Sequence, residues 1–343
     1  MVLLLRNHEI RGLMGLPEYI DAVEQGYREV GLGHGVGFPR ENLWIRGDAK
    51  SATGGGHRPA GVKASFKFKA ALLPGLGGAG VQAYTAGLPK GLETFLFLFD
   101  TQTGGLVAIM EVLYYDWLKT AATSAVATRY LAPDDSRIVG LIGTGRHARS
   151  QLHALAAVQP IQRVQAYSRN AQKRTHFCQK LSDELGIDVI PVESPAEALR
   201  DADIVTTITT SAEPVFDGKD LPEKPLHINA MGAHYPWVRE IDSHTVRNSR
   251  VIVDQMEQAF QEHGEILIPM DEGVIDRDHI VADLAAIVSA QTIGRVPDTD
   301  WTLFLSGGTG IEDIAVATRL YEKACEKNVG TEFPFNQPYE FEF

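Results

Sequence analysis

The chain has 343 residues, 44% of them hydrophobic, 22% charged and 8% aromatic, which excludes a mainly disordered, collagen-like or disulfide-built protein. Its 32 basic and 44 acidic side chains leave a formal net charge of −12, which repels phosphate backbones and argues against nucleic acid as a partner. Two cysteines, Cys178 and Cys325, are too few for a disulfide framework, and no run reaches the ~20 apolar residues of a membrane helix, so a reducing, cytoplasmic setting away from membranes is expected.

Val2–Leu5 reads as a short strand; cut off by Arg6, it is too short for a signal-peptide core. Pro17 to Gly31 reads as a helix, with Ile20, Ala22, Val23 and Tyr27 near helical spacing and Gly31 and Gly33 at its end. Residues 34–60, rich in Gly, Arg and polar groups, read as a long loop of the kind that often carries function. Val62–Phe68, Glu93–Phe99 and Leu106–Met110 read as strands, the last two joined by a hairpin turn at Asp100-Thr-Gln-Thr-Gly-Gly. The first hundred residues therefore predict a mainly antiparallel sheet with a helix at its start.

Trp117–Leu131 is Ala-rich, lacks Gly and Pro, and reads as a helix that ends at Pro133. From there apolar runs alternate with helical segments. The runs are Ile138–Ile142, Val164–Tyr167, Val189–Val192, Ile204–Ile208, His227–Met231 and Val251–Val253. That alternation predicts an α/β domain with a parallel sheet covered on both faces. Ile311–Lys327 reads as a final helix, placed late enough to return to the first domain.

The sharpest local signal is Gly143-Thr144-Gly145-Arg146-His147-Ala148, a G-x-G-x-x-A turn that follows an apolar strand and opens a helix at Ser150–Val158. Gly143 permits the tight turn, Gly145 lets the backbone approach a pyrophosphate, and Ala148 allows close helix–strand packing. The helix N-terminus favours phosphate, with Arg146 as added charge and His147 at the phosphate-facing start. A Rossmann-type dinucleotide site is expected. The second strand ends in Tyr167-Ser168-Arg169-Asn170 without the acid that an NAD site places on the ribose 2′-hydroxyl. Ser168 and Arg169 suit a 2′-phosphate, which favours NADP over NAD, unless Arg169 and Lys173 are a solvated helix start. Thr209 and Ser211 follow a strand at its C-terminal end, where they suit either cofactor contact or turn capping. No His, Cys or carboxylate spacing calls for a metal.

Several stretches together resemble the ornithine cyclodeaminase / mu-crystallin family: Pro39-Arg40; Gly61-Val62-Lys63; Leu98-Phe99-Asp100 with Thr103-Gly104; Lys119-Thr-Ala-Ala-Thr-Ser-Ala125; Gly143-Thr-Gly145; Asn229-Ala-Met231-Gly232-Ala; Arg239-Glu240; Val253-Asp254; and Gly308-Thr-Gly-Ile-Glu312-Asp313. The resemblance implies a Rossmann domain at 121–314, with Met231 and Gly232 among its cofactor residues. It also implies an α+β substrate and dimerisation domain from 1–120 with 315–343, and a homodimer joined through the antiparallel sheets. The implied chemistry is hydride transfer at the Cα–N bond of a small amino acid or its imine. Arg40 matches the family arginine that grips the substrate carboxylate. Lys63 matches the lysine near the reacting carbon, although Lys67 and Lys69 share its strand parity and the residues alone do not choose among the three.

Two positions depart from the family pattern. Lys119 stands where the family has an arginine as a second carboxylate ligand, which keeps the charge and loses the bidentate fork. His234 stands at or beside the acid/base aspartate of cyclodeaminases. A histidine there suits proton donation to an imine, or is a loop residue packed by Tyr235 and Trp237. The expected activity is therefore NAD(P)-dependent reduction of a carboxylated imine, with proton supply from Lys63 or His234. The alternatives are ornithine cyclodeamination with recycled NAD, and a non-catalytic carboxylate-binding protein.

Overall fold

The computed structural model describes residues 1–47, 61–88, 92–296 and 301–335. These residues form two compact units, one of 1–119 with 309–335 and one of 120–308. No helix among them is long and apolar enough to cross a membrane.

The first unit is built on a seven-stranded sheet. Its strands are β1 (Val2–Leu5), β2 (Val36–Arg46), β3 (Val62–Leu73), β4 (Gly78–Ala86), β5 (Glu93–Asp100), β6 (Leu106–Glu111) and β15 (Thr331–Phe333), in the order β15-β1-β6-β5-β4-β3-β2. Neighbours are antiparallel except β1 and β6, so the expected antiparallel sheet is present. After a short helix α1 (Asn7–Ile10), helix α2 (Leu16–Gly31) starts with Pro17 in its first turn, and the Glu18 carboxylate accepts from the Gly15 amide at 2.9 Å. Its Tyr19, Ile20, Val23 and Tyr27 form the buried stripe. The last helix, α11 (Gly310–Lys327), lies close against α2: a methyl group added at Gly26 would sit 2.7 Å from the Ala315 side chain.

Three strands of this sheet, β2, β4 and β15, were not legible as strands. The stretch read as a loop from residue 34 contains β2, an eleven-residue strand paired with β3; residues 48–60 of that stretch lie outside the described residues. Strand β4 hides behind its glycines. A Cβ at Gly78 would meet Thr318, and one at Gly80 would meet Ile314 and the Phe97 carbonyl, so α11 and β5 leave room only for glycine. The faces of β3 are inverted with respect to hydropathy: Lys67 and Lys69 are buried, while Phe66 and Leu72 are exposed.

Helix α3 (Leu113–Leu131) begins in the first unit and continues into the second from Thr120. The second unit has eight strands: β7 (Ile138–Ile142), β8 (Arg163–Tyr167), β9 (Asp188–Pro191), β10 (Ile204–Thr207), β11 (Leu226–Ala230), β12 (Ser249–Val253), β13 (Ile280–Asp283) and β14 (Trp301–Leu305). They run in the order β13-β12-β14-β11-β10-β7-β8-β9, and every neighbouring pair is parallel. Helices α4 (Ala148–Val158), α5 (Ala171–Leu185), α6 (Pro195–Leu199), α7 (Ser243–Asn248), α8 (Met256–Glu262), α9 (Gly264–Asp271) and α10 (Leu284–Val288) connect them. The run β9-β8-β7-β10-β11 is the doubly wound order of a dinucleotide-binding sheet. Its switch point, between the C-terminal ends of β7 and β10, is where such sheets take their ligands.

Candidate functional site

In the second unit, the turn after β7 is shaped by its glycines. Gly143 has φ +108°, and a Cβ there would lie 2.5 Å from the Ile208 carbonyl oxygen and 3.0 Å from the Thr209 methyl group. The two chain segments at the switch point thus meet at a position open only to glycine. A Cβ at Gly145, by contrast, would meet no protein atom within 4 Å. Thr144, Arg146 and His147 complete the turn, and α4 starts at Ala148 with its amide bonded to the Gly145 carbonyl at 3.2 Å. Strand, exposed glycine and helix N-terminus make a cradle that fits the pyrophosphate of a dinucleotide.

At the end of β8, the Ser168 hydroxyl lies 2.7 Å from that of Thr144, joining the first and second βα turns. Arg174 on α5 is buried; it donates to the Ser168 carbonyl at 2.7 Å and pairs with Glu193 at 2.6 Å. Arg169 is exposed. No carboxylate occupies the position after this strand where an NAD site has one.

Glu240 ties the neighbouring loops together. Its buried carboxylate accepts from the Thr207 hydroxyl at 2.9 Å, the Thr209 amide at 2.6 Å and the Gly232 amide at 2.7 Å. Gly232 admits no side chain, because a Cβ would fall 2.4 Å from both Glu240 and the Thr209 carbonyl. Met231 is buried beside it and bonds through its amide to Thr207. Ser211 is engaged locally: its hydroxyl donates to the Glu213 carbonyl at 2.7 Å. Burial pushes the Glu240 carboxyl up from its ordinary range and that of Glu265 to about 7, where the nearby charge of Glu240 adds to the effect. Asp254, at the end of β12, accepts from the Ser306 hydroxyl and from the Gly307 and Gly308 amides at 2.8–3.0 Å. Glu240 and Asp254 stand in stretches that carried the family resemblance, yet their residue types alone gave no role; the fold shows them as loop anchors.

His234 follows the Gly232 turn and is half-buried, its ring 4.5 Å from that of Tyr235, which stacks on Trp237 at 5.2 Å. The aromatic packing expected for a loop histidine is thus present on one side.

The first unit holds a buried charged cluster on the inner face of its sheet. Lys69 Nζ pairs with Asp313 Oδ2 at 2.6 Å. Lys119 Nζ pairs with Asp313 Oδ1 at 2.9 Å and Glu312 Oε1 at 2.7 Å, with Asp116 at 3.6 Å. Glu312 also accepts from the Thr309 amide at 3.3 Å, closing the first turn of α11. Burial, with the charges of Lys119 and Arg40, pulls the Lys69 ammonium down to about 8 against the attraction of Asp313. Burial also opposes the charge on Lys119, but Asp313, Glu312 and Asp116 outweigh it and hold that ammonium well above its ordinary range. Arg40 on β2 is buried and near enough to act on Lys69. Lys63 lies further along the same face of β3 and is half-buried. Strand parity allowed Lys63, Lys67 or Lys69; all three lie on this face, Lys67 and Lys69 are buried, and Lys69 is paired with Asp313. Asp313, in the first turn of α11, bridges two lysines.

A sequence profile described as the Ornithine cyclodeaminase/mu-crystallin family matches residues 75–328, so Arg40 and Lys63 lie ahead of the matched stretch. A Delta(1)-pyrroline-2-carboxylate reductase of Bacillus cereus is 35% identical over 247 residues, covering 72% of this chain and 75% of its own. The structure of Thermococcus litoralis Delta(1)-pyrroline-2-carboxylate reductase in complex with NADH and L-proline superposes with a TM-score of 0.87 at 35% identity, covering 97% of this chain and 100% of that one. An archaeal alanine dehydrogenase dimer with bound NAD superposes equally well, with a TM-score of 0.87 at 30% identity over 98% of this chain and 99% of its own.

Proposed function

The chain belongs to the ornithine cyclodeaminase/mu-crystallin family, and we propose that it is an NAD(P)-dependent oxidoreductase that reduces the C=N bond of a small carboxylated imine to an amino acid. The observation that carries this reading is the likeness, over nearly the whole chain, to a reductase holding NADH and an amino acid. The two residue sets support it, since the chemistry needs a dinucleotide cradle and cationic side chains for a carboxylate, which the turn after β7 and the buried Arg40, Lys69 and Lys119 would supply.

When bound, the reduced nicotinamide supplies the hydride. The rest falls to the protein. Arg40, with a planar fork suited to a carboxylate, holds that end of the substrate together with Lys63. Lys119 donates to Glu312 and Asp313, so at most one of its three ammonium hydrogens remains for substrate. Lys63 or His234 supplies the proton to the substrate nitrogen. Thr144, Gly145, Arg146 and His147 hold the pyrophosphate, and Thr209, Ser211, Met231 and Gly232 line the adjoining turns. We further read the cofactor as NADP in preference to NAD, because Ser168 and exposed Arg169 suit a ribose 2′-phosphate and no acid follows β8 at the position where an NAD site has one. The chain acts as a homodimer through the outer face of the first unit's sheet. Its two free thiols, Cys178 and Cys325, suit a reducing, cytoplasmic location.

The test is a paired assay of reduced-nicotinamide absorbance and ammonia over a panel of cyclic and linear ketimine carboxylates, with NADPH and NADH separately. Absorbance should fall one-for-one with substrate, without ammonia release, and kcat/KM should be higher with NADPH. Substituting Arg169→Ala should erase about tenfold or more of that preference. Ammonia release from diamino acids without net absorbance change, or oxidation of neither cofactor, overturns the reading; equal use of both cofactors overturns the NADP assignment alone.

A further inference from the structure

Buried polar atoms almost always find partners, and one left without is costly to the fold unless an ordered water or a ligand supplies the bond. The first unit has four such atoms that meet no partner among the described residues: Asn42 Oδ1, Ser65 Oγ, Gln82 Oε1 and Tyr115 OH. They flank the inner-face lysines Lys67 and Lys69. Gln82 is directly opposite Lys69 in the β3–β4 register, and Asn42 is opposite Lys67 in the β2–β3 register. Ser65 shares the face of Lys69, and Tyr115 is close enough to feel the charges of Asp313 and Lys119.

The packing of α11 explains why the polar atoms lie there. On the inner face of β4, Gly78 lies under Thr318 and Gly80 under Ile314. The next residue on that face is Gln82, beyond the cover of these helical side chains, while Asp313 at the start of the helix reaches Lys69. Glycines let the helix down onto the sheet, and polar side chains begin where that contact ends. The Gln82 side chain is 1% exposed, so its carbonyl is shielded from bulk water as well as unpaired.

The chemistry of the set describes its ligand. Lys69 and Tyr115 are donors and suit a carboxylate. Gln82 Oε1 is an acceptor and needs an N–H or O–H. Resting on the reading of the chain as an imine reductase, we propose that Gln82 is a substrate-contacting residue whose side-chain carbonyl accepts a hydrogen bond from the nitrogen-bound hydrogen of the substrate. The enzyme thereby selects imino and amino acids whose nitrogen carries hydrogen, as a protonated cyclic ketimine and its secondary-amine product both do. Carboxylates of the same shape that lack an N–H, 2-oxo acids among them, leave the Gln82 carbonyl buried and unpaired and are rejected.

The experiment compares the wild-type protein with Gln82→Met, which keeps the shape and removes the acceptor, and Gln82→Glu, which keeps an accepting oxygen. Thermal shifts with L-proline and with cyclopentanecarboxylate measure the preference for the nitrogen, and fluorescence titration measures dinucleotide affinity. The wild type should prefer L-proline by at least tenfold. Q82M should lose that preference and show a KM for a cyclic ketimine carboxylate at least tenfold higher. Its dinucleotide affinity should stay within twofold, and its unliganded melting temperature should be equal to or above that of the wild type, because the unpaired carbonyl is gone. Q82E should retain the preference. A wild type that does not distinguish the two ligands, a folded Q82M that keeps the preference, a Q82M that melts well below the wild type, or a Q82E that loses the preference overturns the assignment. If the wild type reduces no imine yet prefers L-proline through Gln82, the contact stands and the reductase reading fails.

Discussion

Glu265 and Glu240 illustrate what a buried carboxyl does to stability. Glu265 Oε1 accepts from the Glu240 amide at 3.0 Å, and burial lifts its carboxyl from an ordinary 4.5 to about 7. The folded chain therefore keeps a proton on Glu265 between about pH 4.5 and 7, where the unfolded chain has released it. Stability must fall as pH rises through that window, by up to about 3 kcal/mol in all, and stay lowered above it. Glu265→Gln keeps the accepting oxygen and removes the titration. In urea unfolding, the variant should exceed the wild type by up to about 3 kcal/mol at pH 8 and converge with it near pH 4.5. A difference independent of pH would show that Glu265 titrates normally. The cluster of Lys69, Lys119, Glu312 and Asp313 shows the limit of reading single residues. Parity puts Lys63, Lys67 and Lys69 on one face, but the partner of Lys69, Asp313, arrives from 244 positions further along the chain, and no local pattern carries that contact.

The legibility of each element followed from what paid for its formation. The parallel strands of the second unit are continuous apolar runs because both faces are covered, so the apolar runs of β7, β8, β10 and β11 and the glycine turn after β7 were plain in the sequence. Strands β2 and β4 were not, because β2 carries Pro39 and Arg40 in a bulged register and β4 carries glycines required by the neighbouring helix. The β4 glycines yield a direct prediction. A Cβ at Gly80 would lie 2.4 Å from the Phe97 carbonyl oxygen and 2.7 Å from Ile314 Cδ1, and backbone cannot yield as a side-chain tip does. Gly80→Ala should destabilise the protein by about 1–3 kcal/mol in urea unfolding, despite adding apolar surface to a strand. An unchanged midpoint would mean that β5 and α11 sit further from β4 than described.

The inverted faces of β3 concern the whole assembly. A strand that buries Lys67 and Lys69 while exposing Phe66 and Leu72 leaves its largest apolar side chains in water within one chain. Its inner face is explained by the charged cluster, and its outer face needs a cover. That outer face is broad: Val36, Phe38 and Leu43 of β2 and Phe95 and Phe99 of β5 are exposed in the same sheet, and cross-strand register brings Leu43 opposite Phe66. Monomers seldom expose so large an apolar patch, and a second copy of the same sheet would cover it with roughly 800 Å² buried on each side. The same reasoning that puts the lysines inside predicts a homodimer through this face. Replacing Phe66 and Phe95 together by glutamate should place like charges across the two-fold and release monomers in sedimentation velocity at micromolar concentration. The inner face is untouched by the change, so the monomer should keep its dinucleotide affinity within about threefold. A wild type that sediments as a monomer, or a double variant that remains a dimer, would move the interface elsewhere and leave the exposed phenylalanines of β3 and β5 in need of another partner.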